Sequence, residues 1–147
     1  MVCKPYENCF EFTGQKNKIV TSTDAKSSTK YIYQNDSQDI LSKYKVDGCL
    51  IDDEDSKCDF LLLNCTKGIS YFVELKGSDL IKAVEQIDRS INVLHKDFKE
   101  YSVEARIVLT RVNTTDLKSS KLIRLESRLK KLNGKLIKQT RQLTEKN

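Results

Sequence analysis

Three consecutive segments between residues 58 and 96 limit the folds open to this chain. The first two, "CDFLLLN" and "SYFVELK", are apolar stretches of strand length joined by the turn "CTKGI", a pattern typical of a β-hairpin. After Gly77, apolar residues recur at spacings of three and four, which predicts an amphipathic helix capped by Ser78. The stripe comprises Leu80, Val84, Ile87, Ile91 and Leu94. The three segments therefore predict a sheet with a helix packed on it.

The neighbouring segments extend this pattern. "VDGCLI" predicts a short strand before the hairpin, and "VEARIVLTRV" predicts one after the helix. A right-handed parallel crossover through the helix would join "SYFVELK" to this last strand. "LKSSKLIRLESRLKKLNG" predicts a second helix that ends at a left-handed Gly134, and "KLIKQTRQLT" predicts an edge strand. The leucine stripe of the second helix comprises Leu122, Leu125, Leu129 and Leu132. The expected fold class is α/β, with a mixed central sheet flanked by helices.

Residues 1–45 have weaker patterns. "FEFTGQKNKIV" and "TKYIYQ" contain short alternating stretches that favour strands, and "NDSQDILSKY" favours a short helix capped by Asp36 or Ser37. A chain of 147 residues is expected to form one domain, 1–147. Its core would span about 46–112, followed by a basic helix and strand at about 117–144.

Composition is typical of a soluble globular protein, with 38% hydrophobic and 32% charged residues. No apolar run approaches the roughly 20 residues of a membrane span. The N-terminal "MVCKPYENCFEF" lacks the apolar region of a secretory signal. We therefore expect no membrane association and a cytoplasmic location.

The five cysteines are expected to be mostly buried thiols. They are Cys3, Cys9, Cys49, Cys58 and Cys65. An odd number in a chain expected to be cytoplasmic argues against a disulfide framework. A zinc site would need closely spaced pairs, and the only histidine, His95, is distant in sequence. Structural zinc is therefore not expected.

The net charge of +5 is unevenly distributed. Residues 117–147 carry 10 Lys/Arg and 2 Asp/Glu, a net of +8, whereas residues 1–116 carry 16 and 19, a net of −3. A basic end predicts a polyanion partner, and the alternative is a solvated lysine-rich helix. The candidates for contact with nucleic-acid phosphates are Lys121, Arg124, Arg128, Lys131 and Lys135.

The hairpin brings charged residues together. If its turn is centred between residues 66 and 67, Phe60 faces Val73 and Asp59 faces Glu74. Carboxylates about 5 Å apart across a hairpin repel each other by roughly 3 kcal/mol at an effective dielectric near 20. Lys76 lies on the same face as Glu74 because side chains alternate along a strand. Its ammonium offsets one charge, whereas a divalent cation would satisfy both carboxylates.

Magnesium suits such a cluster because it takes hard oxygen ligands, commonly one or two carboxylates with waters and substrate phosphates. A metal there lowers the pKa of a bound water and stabilises charge on a scissile phosphodiester, while Lys76 orients or deprotonates the water. The alternative is a structural ion network. Because the neighbouring hairpin residues are apolar, burial of unpaired charge would be costly, which favours a functional site.

The segment "CDFLLLNCTKGISYFVELKG" resembles the PD-(D/E)xK nuclease superfamily, which includes many restriction endonucleases, Holliday-junction resolvases and repair exonucleases. The resemblance covers about residues 46–112: an Asp, then fourteen residues, then Glu-x-Lys before an amphipathic helix. It implies a restriction-endonuclease-like core, in which Asp59, Glu74 and the Leu75 carbonyl bind Mg²⁺ or Mn²⁺ and Lys76 assists the water. Cys58 stands where the motif has proline.

Two further residues have supporting roles by the same resemblance. Some members carry a glutamine on the helix after the Glu-x-Lys strand, where Gln86 lies; the alternative is an ordinary exposed glutamine. Many members also supply an acidic residue from a preceding helix. Glu7, Asp39 and Asp47 are candidates, and Asp47 is preferred because it precedes the core, although it could equally cap a turn.

Three functions are compatible with these residues. The first is a metal-dependent nuclease, acting on DNA and dimeric if it cuts both strands of a duplex. The second is a catalytically idle nuclease-fold module that binds nucleic acid or a partner protein. The third is a helical interaction protein that uses the leucine stripe, which core packing explains more simply.

Overall fold

The computed structural model describes residues 2–147, which form nine strands and two α-helices. The strands are β1 (Phe10–Gln15), β2 (Ile19–Thr23), β3 (Lys30–Gln34), β4 (Leu41–Lys45), β5 (Phe60–Asn64), β6 (Ile69–Lys76), β7 (Ser102–Leu109), β8 (Leu136–Thr140) and β9 (Gln142–Lys146). The helices are α1 (Leu80–Leu94) and α2 (Ser120–Lys131), with 3-10 turns at His95–Phe98 and Thr114–Lys118. Neither helix in this range is long and apolar enough to cross a membrane.

The strands form two mixed sheets, so the α/β class is confirmed. Six strands lie in the order β1-β4-β5-β6-β7-β8, in which β4, β5 and β6 are antiparallel neighbours and β6, β7 and β8 are parallel. The second sheet has the order β2-β3-β9, with β3 antiparallel to β2 and parallel to β9. The expected parallel link between β6 and β7 through α1 is present.

The two faces of the six-stranded sheet are covered differently. One face packs against α1 and α2, with Leu61, Phe72 and Ile107 in that core. The other face packs against the three-stranded sheet, through Leu62, Val73 and partners such as Tyr31 and Tyr33. The expectation of a sheet flanked by helices is therefore wrong on one face, because a second sheet built from the chain's two ends covers it.

The predicted pairing of the β5–β6 hairpin is confirmed. Phe60 pairs with Val73, Leu63 with Ser70, and Asn64 with Ile69. The prediction came from placing the centre of the turn between residues 66 and 67, because the turn of a hairpin fixes the register of its strands.

The region before the hairpin differs from the sequence interpretation. Strands β1, β2 and β3 confirm the two alternating segments, but "NDSQDILSKY" contains β4 and not a helix. Its polar residues Ser42 and Lys43 are buried, and they find partners that are distant in the chain: the carbonyl of Cys3 at 2.7 Å and Glu11 at 3.0 Å. "VDGCLI" is a turn closed by an isolated bridge from Asp47 to Ile51, and not a strand.

Three local predictions near helix and strand ends were also wrong. The cap of α1 is Asp79, whose carboxylate accepts from the Lys82 N–H, and not Ser78. The left-handed residue after α2 is Asn133, with φ 63°, and not Gly134. "KLIKQTRQLT" forms two strands, because the chain turns at Arg141 (φ 67°) and passes from the edge of the large sheet into the small one.

The expectation of mostly free thiols is wrong. Cys3 and Cys65 form one disulfide and Cys9 and Cys49 another, with Cα–Cα distances of 5.3 and 5.6 Å. Within residues 2–147 the free cysteine is Cys58, which is buried. The odd count therefore reflects two pairs and one core thiol.

Candidate functional site

Asp59 and Glu74 meet at the open end of the β5–β6 hairpin. The Asp59 N–H donates to the Val73 carbonyl (3.1 Å), and one carboxylate oxygen of Asp59 accepts from the Leu75 N–H (2.9 Å). These bonds continue the hairpin ladder by one residue and leave Asp59 opposite Glu74. By strand alternation the Glu74 side chain lies on the face that carries α1, whereas Asp59 precedes β5 and its carboxylate is bonded to the backbone of β6.

The helix side of the site is fixed through residue 58. The Cys58 N–H donates to Ser90 Oγ (2.8 Å), which in turn donates to the Gln86 carbonyl (2.8 Å). Gln86 Nε2 donates to the Lys57 carbonyl (3.1 Å). The peptide group between Lys57 and Cys58 is thus bonded to α1 through both its carbonyl and its N–H. Gln86 is half-buried, which is inconsistent with an ordinary exposed glutamine.

Glu74 is the most unusual residue of the cluster. It is 1% exposed, and its Oε1 atom is buried with no hydrogen-bond partner in the described residues. The pKa of its carboxyl is raised to about 9, and burial is the largest cause. The charge of Asp59 also raises this pKa, and the charge of Lys76 lowers it by less. A buried carboxylate oxygen without a partner costs free energy, unless a proton or a cation occupies it.

The pKa of Asp59 is raised less than that of Glu74. Burial lifts the pKa of its carboxyl to about 6 against the hydrogen bond from Leu75, and the charges of Asp24 and Asp47 raise it as well. Asp24 lies in the β2–β3 loop and was not among the candidates from sequence. No sequence signal marks it, because it reaches the site only through the packing of the small sheet.

Two clefts adjoin the cluster, and Asp47 lines both. One, of about 470 Å³, is also lined by Asp24, Lys45 and Asp59. The other, of about 440 Å³, has Lys76 in its wall. Its remaining lining comprises Asp47, Glu54, Asp55, Ser56, Lys57, Lys82 and Gln86. The sequence candidates Asp59, Lys76, Gln86 and Asp47 therefore line neighbouring openings, whereas Glu7 and Asp39 line neither.

The donor set is compatible with a divalent cation. Residues 2–147 contain no group of three His, Cys, Asp or Glu side chains placed to hold a metal ion. The site instead offers Asp59 and Glu74, and Mg²⁺ is commonly held by one or two carboxylates with waters completing its shell. The unpartnered Oε1 of Glu74 supports this fit. The ligand role of the Leu75 carbonyl stays a prediction.

The basic candidates on and after α2 do not form one surface at the site. Lys121 contacts Glu85, and Arg128 binds Asp88 (2.5 Å) and Asn92 (2.6 Å), so both cations pair with α1. Arg124 is exposed beside them and lines the groove between the helices.

Lys131 and Lys135 lie toward the opposite edge of the sheet. The carbonyls of Leu132 and Lys135 accept from Val103 and Ala105, near the start of β7, whereas Lys76 pairs with Leu109 at its end.

No protein-family model, curated protein or solved structure matches this chain. The likeness to the nuclease superfamily therefore depends on the Asp59, Glu74 and Lys76 spacing and on the geometry around it. Of that geometry, the antiparallel hairpin, the following helix and the parallel strand β7 are present.

Proposed function

We propose that this protein is a metal-dependent nuclease that hydrolyses phosphodiester bonds, with DNA as its substrate. The observation that carries the proposal is the buried, unpartnered Oε1 of Glu74 beside Asp59. Lys76 follows Glu74 by two residues on β6 and lines an adjoining cleft. Structural ion networks satisfy their oxygens, whereas a site built for a cation leaves one open.

Each residue has a role in this proposal. Asp59 and Glu74 hold Mg²⁺ or Mn²⁺, which supplies an acidified water and stabilises charge on the phosphodiester when bound. Lys76 orients the attacking water or accepts its proton, and the described residues include no carboxylate within ion-pair distance of its ammonium. Gln86 supports the segment before Asp59 through Lys57.

Partners and location extend the proposal. Cutting both strands of a duplex with one centre per chain would use a two-fold homodimer. The cytoplasmic location expected from sequence remains a prediction, and the two disulfides weigh against it because such bonds are rare in reducing compartments.

The test compares wild type with Lys76→Ala on plasmid, single-stranded and branched DNA in Mg²⁺ or Mn²⁺. We expect cleavage by wild type and a loss of at least about 100-fold in the variant, the lower range for a general acid–base group. Lys16→Ala is the matched control and should cleave like wild type, because Lys16 is exposed and follows β1 at the end of the sheet away from Asp59. Absence of cleavage of all three substrates by wild type would overturn the proposal.

A second candidate function is a catalytically idle module that binds nucleic acid or a partner protein. The raised pKa of Glu74 favours it, because a proton on Glu74 satisfies the buried oxygen without a cation. Calorimetric titration with Mn²⁺ at pH 8, with and without DNA, separates the two functions. Binding of Mn²⁺ that is lost in Glu74→Gln supports the nuclease, and DNA binding without Mn²⁺ binding supports the idle module.

A further inference from the structure

The six-stranded sheet ends at β8 in a regular, open edge. Strand β8 pairs in parallel with β7 over all five of its residues, and no strand within residues 2–147 pairs with its other side. Strand β1, at the opposite edge, pairs with β4 through two register shifts. Irregular pairing of that kind bends an edge away from further strands. The regular edge of this sheet, which can accept another strand, is therefore β8.

The backbone of β8 offers hydrogen-bonding groups on that open side. The Lys135 carbonyl accepts from the Ala105 N–H (3.1 Å), and the Arg141 N–H donates to the Leu109 carbonyl (2.6 Å), so both ends of the segment bond to β7. Because the polar groups of alternate residues point to opposite sides of a strand, the residues at even-numbered positions direct their N–H and C=O groups away from β7. They are Leu136, Lys138 and Thr140.

Positive charge follows the same edge. Three cations recur at intervals of three residues: Lys135, Lys138 and Arg141. Within residues 2–147 none of them has a carboxylate at ion-pair distance. The carboxylates of Glu104 on β7 and Glu145 on β9 bind Arg106 instead, at 2.8 and 2.9 Å. The charge of the β8 edge is therefore not compensated by the acidic residues of the neighbouring strands.

The charge and the backbone groups together favour one class of partner. Two copies of this chain paired through β8 would place the cations of both edges side by side, and like charges on paired strands are destabilising. A DNA backbone has acceptors for the N–H groups but no donors for the carbonyls. An extended peptide supplies both donors and acceptors, and acidic side chains on it would pair with the cations.

We propose that the β8 edge is a docking site for an extended acidic segment of a partner protein, which joins the six-stranded sheet as an added strand. Main-chain hydrogen bonds to Leu136, Lys138 and Thr140 hold the segment, and its carboxylates pair with the three cations. The inference goes beyond the proposed nuclease function, because it uses neither Asp59 nor Glu74. Its test is therefore independent of metal binding and cleavage.

The first experiment measures the fluorescence anisotropy of a labelled peptide of Glu-Val-Thr repeats, which carries a carboxylate at every third residue. We expect wild type to bind it at least about threefold more tightly than a peptide of Gln-Val-Thr repeats. The variant K135Q/K138Q should bind the acidic peptide at least about threefold more weakly, the combined effect of two exposed ion pairs. The matched control is K16Q/K18Q, which has the same change in charge and lies beyond β1, and it should bind like wild type.

The second experiment tests the backbone of the edge. Thr140→Pro removes an N–H that points away from β7 and leaves the bonds to β7 in place, as proline on an edge strand does. We expect at least about fivefold weaker peptide binding, since one main-chain hydrogen bond is lost. Thr140→Ala keeps the N–H and should bind like wild type. In wild type, saturating peptide should slow hydrogen exchange of the Leu136, Lys138 and Thr140 amides.

Several results would overturn the inference. One is no binding of the acidic peptide by wild type at millimolar concentration, and another is equal weakening in K135Q/K138Q and K16Q/K18Q, which indicates general charge attraction. Weaker binding of duplex DNA by K135Q/K138Q than by K16Q/K18Q would assign the edge to nucleic acid. A wild-type dimer in sedimentation that Thr140→Pro converts to a monomer would assign it to a second copy of the chain.

Discussion

Folding and the proposed function favour different protonation states of Glu74. As a carboxylic acid it fits its buried position, because the neutral form loses little on leaving water. As a carboxylate it faces the charge of Asp59, and only Lys76 lowers its pKa among nearby charged side chains. A pKa of about 9 favours the protonated form of Glu74 at neutral pH without metal, and a cation would have to displace that proton.

This conflict predicts a pH-dependent stability in the absence of metal. The pKa of Glu74 is about 9 in the folded protein against a reference value of 4.5, so between these values the folded state binds more protons than the unfolded state. The free energy of unfolding must then fall as pH rises, by up to about 1.4 kcal/mol per pH unit. Asp59 contributes with the same sign only below about pH 6.

Glu74→Gln should remove this slope, because glutamine is neutral at every pH. Urea unfolding in EDTA at pH 6.5, 7.5 and 8.5 measures it, and the stabilities of variant and wild type should diverge as pH rises. Glu126→Gln, at an exposed position on α2, is the control and should follow wild type. Parallel curves for wild type and Glu74→Gln would mean that Glu74 is already ionised in the folded state.

At the scale of elements, the sequence predicted those parts whose contacts are local. The β5–β6 hairpin and α1 lie within 35 residues, where the turn determines the strand pairing and the apolar spacing determines the buried face of the helix. Asp59, Glu74 and Lys76 were found for the same reason, since one hairpin brings them together. Strand β4 was not found, because Ser42 and Lys43 look solvent-exposed until the N-terminal segment covers them.

The parts of the site that were not predicted from sequence also depend on contacts between distant segments of the chain. Asp24 comes from the β2–β3 loop of the second sheet, which packs on the six-stranded sheet, and it lines the cleft beside Asp59. Asp47 was a candidate, but its loop is restrained by a disulfide that the cysteine count argued against. Contacts that close long segments of chain leave no periodic signal in the sequence.

The end of α2 provides a test at this scale. Gly134 has no positive φ, but a Cβ atom there would lie 1.7 Å from the Val103 carbonyl oxygen, a backbone atom that cannot move aside. Gly134→Ala should therefore destabilise the protein by roughly 1–3 kcal/mol, as forced overpacking does. Gly77→Ala is the matched control, since a Cβ atom there has no neighbour within 4 Å among the described residues.

Urea unfolding of both variants at one pH measures the difference. The free energy of unfolding of Gly134→Ala should fall, whereas that of Gly77→Ala should change by no more than a few tenths of a kcal/mol. Equal stabilities for the two variants would show that β7 and the chain after α2 separate at little cost.

At the scale of the whole molecule, the charge distribution of the chain and the position of the site disagree. The excess of positive charge lies in residues 117–147, but Lys131 and Lys135 lie toward the edge of the sheet opposite Lys76. Lysines from elsewhere in the chain line the clefts instead: Lys45 beside Asp59 and Lys82 beside Lys76. Folding thus separates the basic C-terminal surface from the proposed chemistry.

DNA held at the site should contact Lys45 and Lys82, which are exposed and have no carboxylate within ion-pair distance in residues 2–147. Each lost phosphate contact lowers the magnitude of the slope of log affinity against log salt by about 0.9 for duplex DNA. The double variant K45Q/K82Q should therefore lower that magnitude by about 2, whereas K131Q/K135Q, with the same change in net charge, should leave it near wild type.

Fluorescence anisotropy of a labelled duplex in EDTA, over a series of NaCl concentrations, measures both slopes without cleavage. If the magnitude of the salt slope falls more in K131Q/K135Q than in K45Q/K82Q, the DNA lies on the basic surface after α2, away from Asp59 and Glu74. Because net charge is matched, a difference between the two variants reports position and not overall attraction. The comparison therefore tests whether DNA is drawn to the carboxylate cluster or to the basic end of the chain.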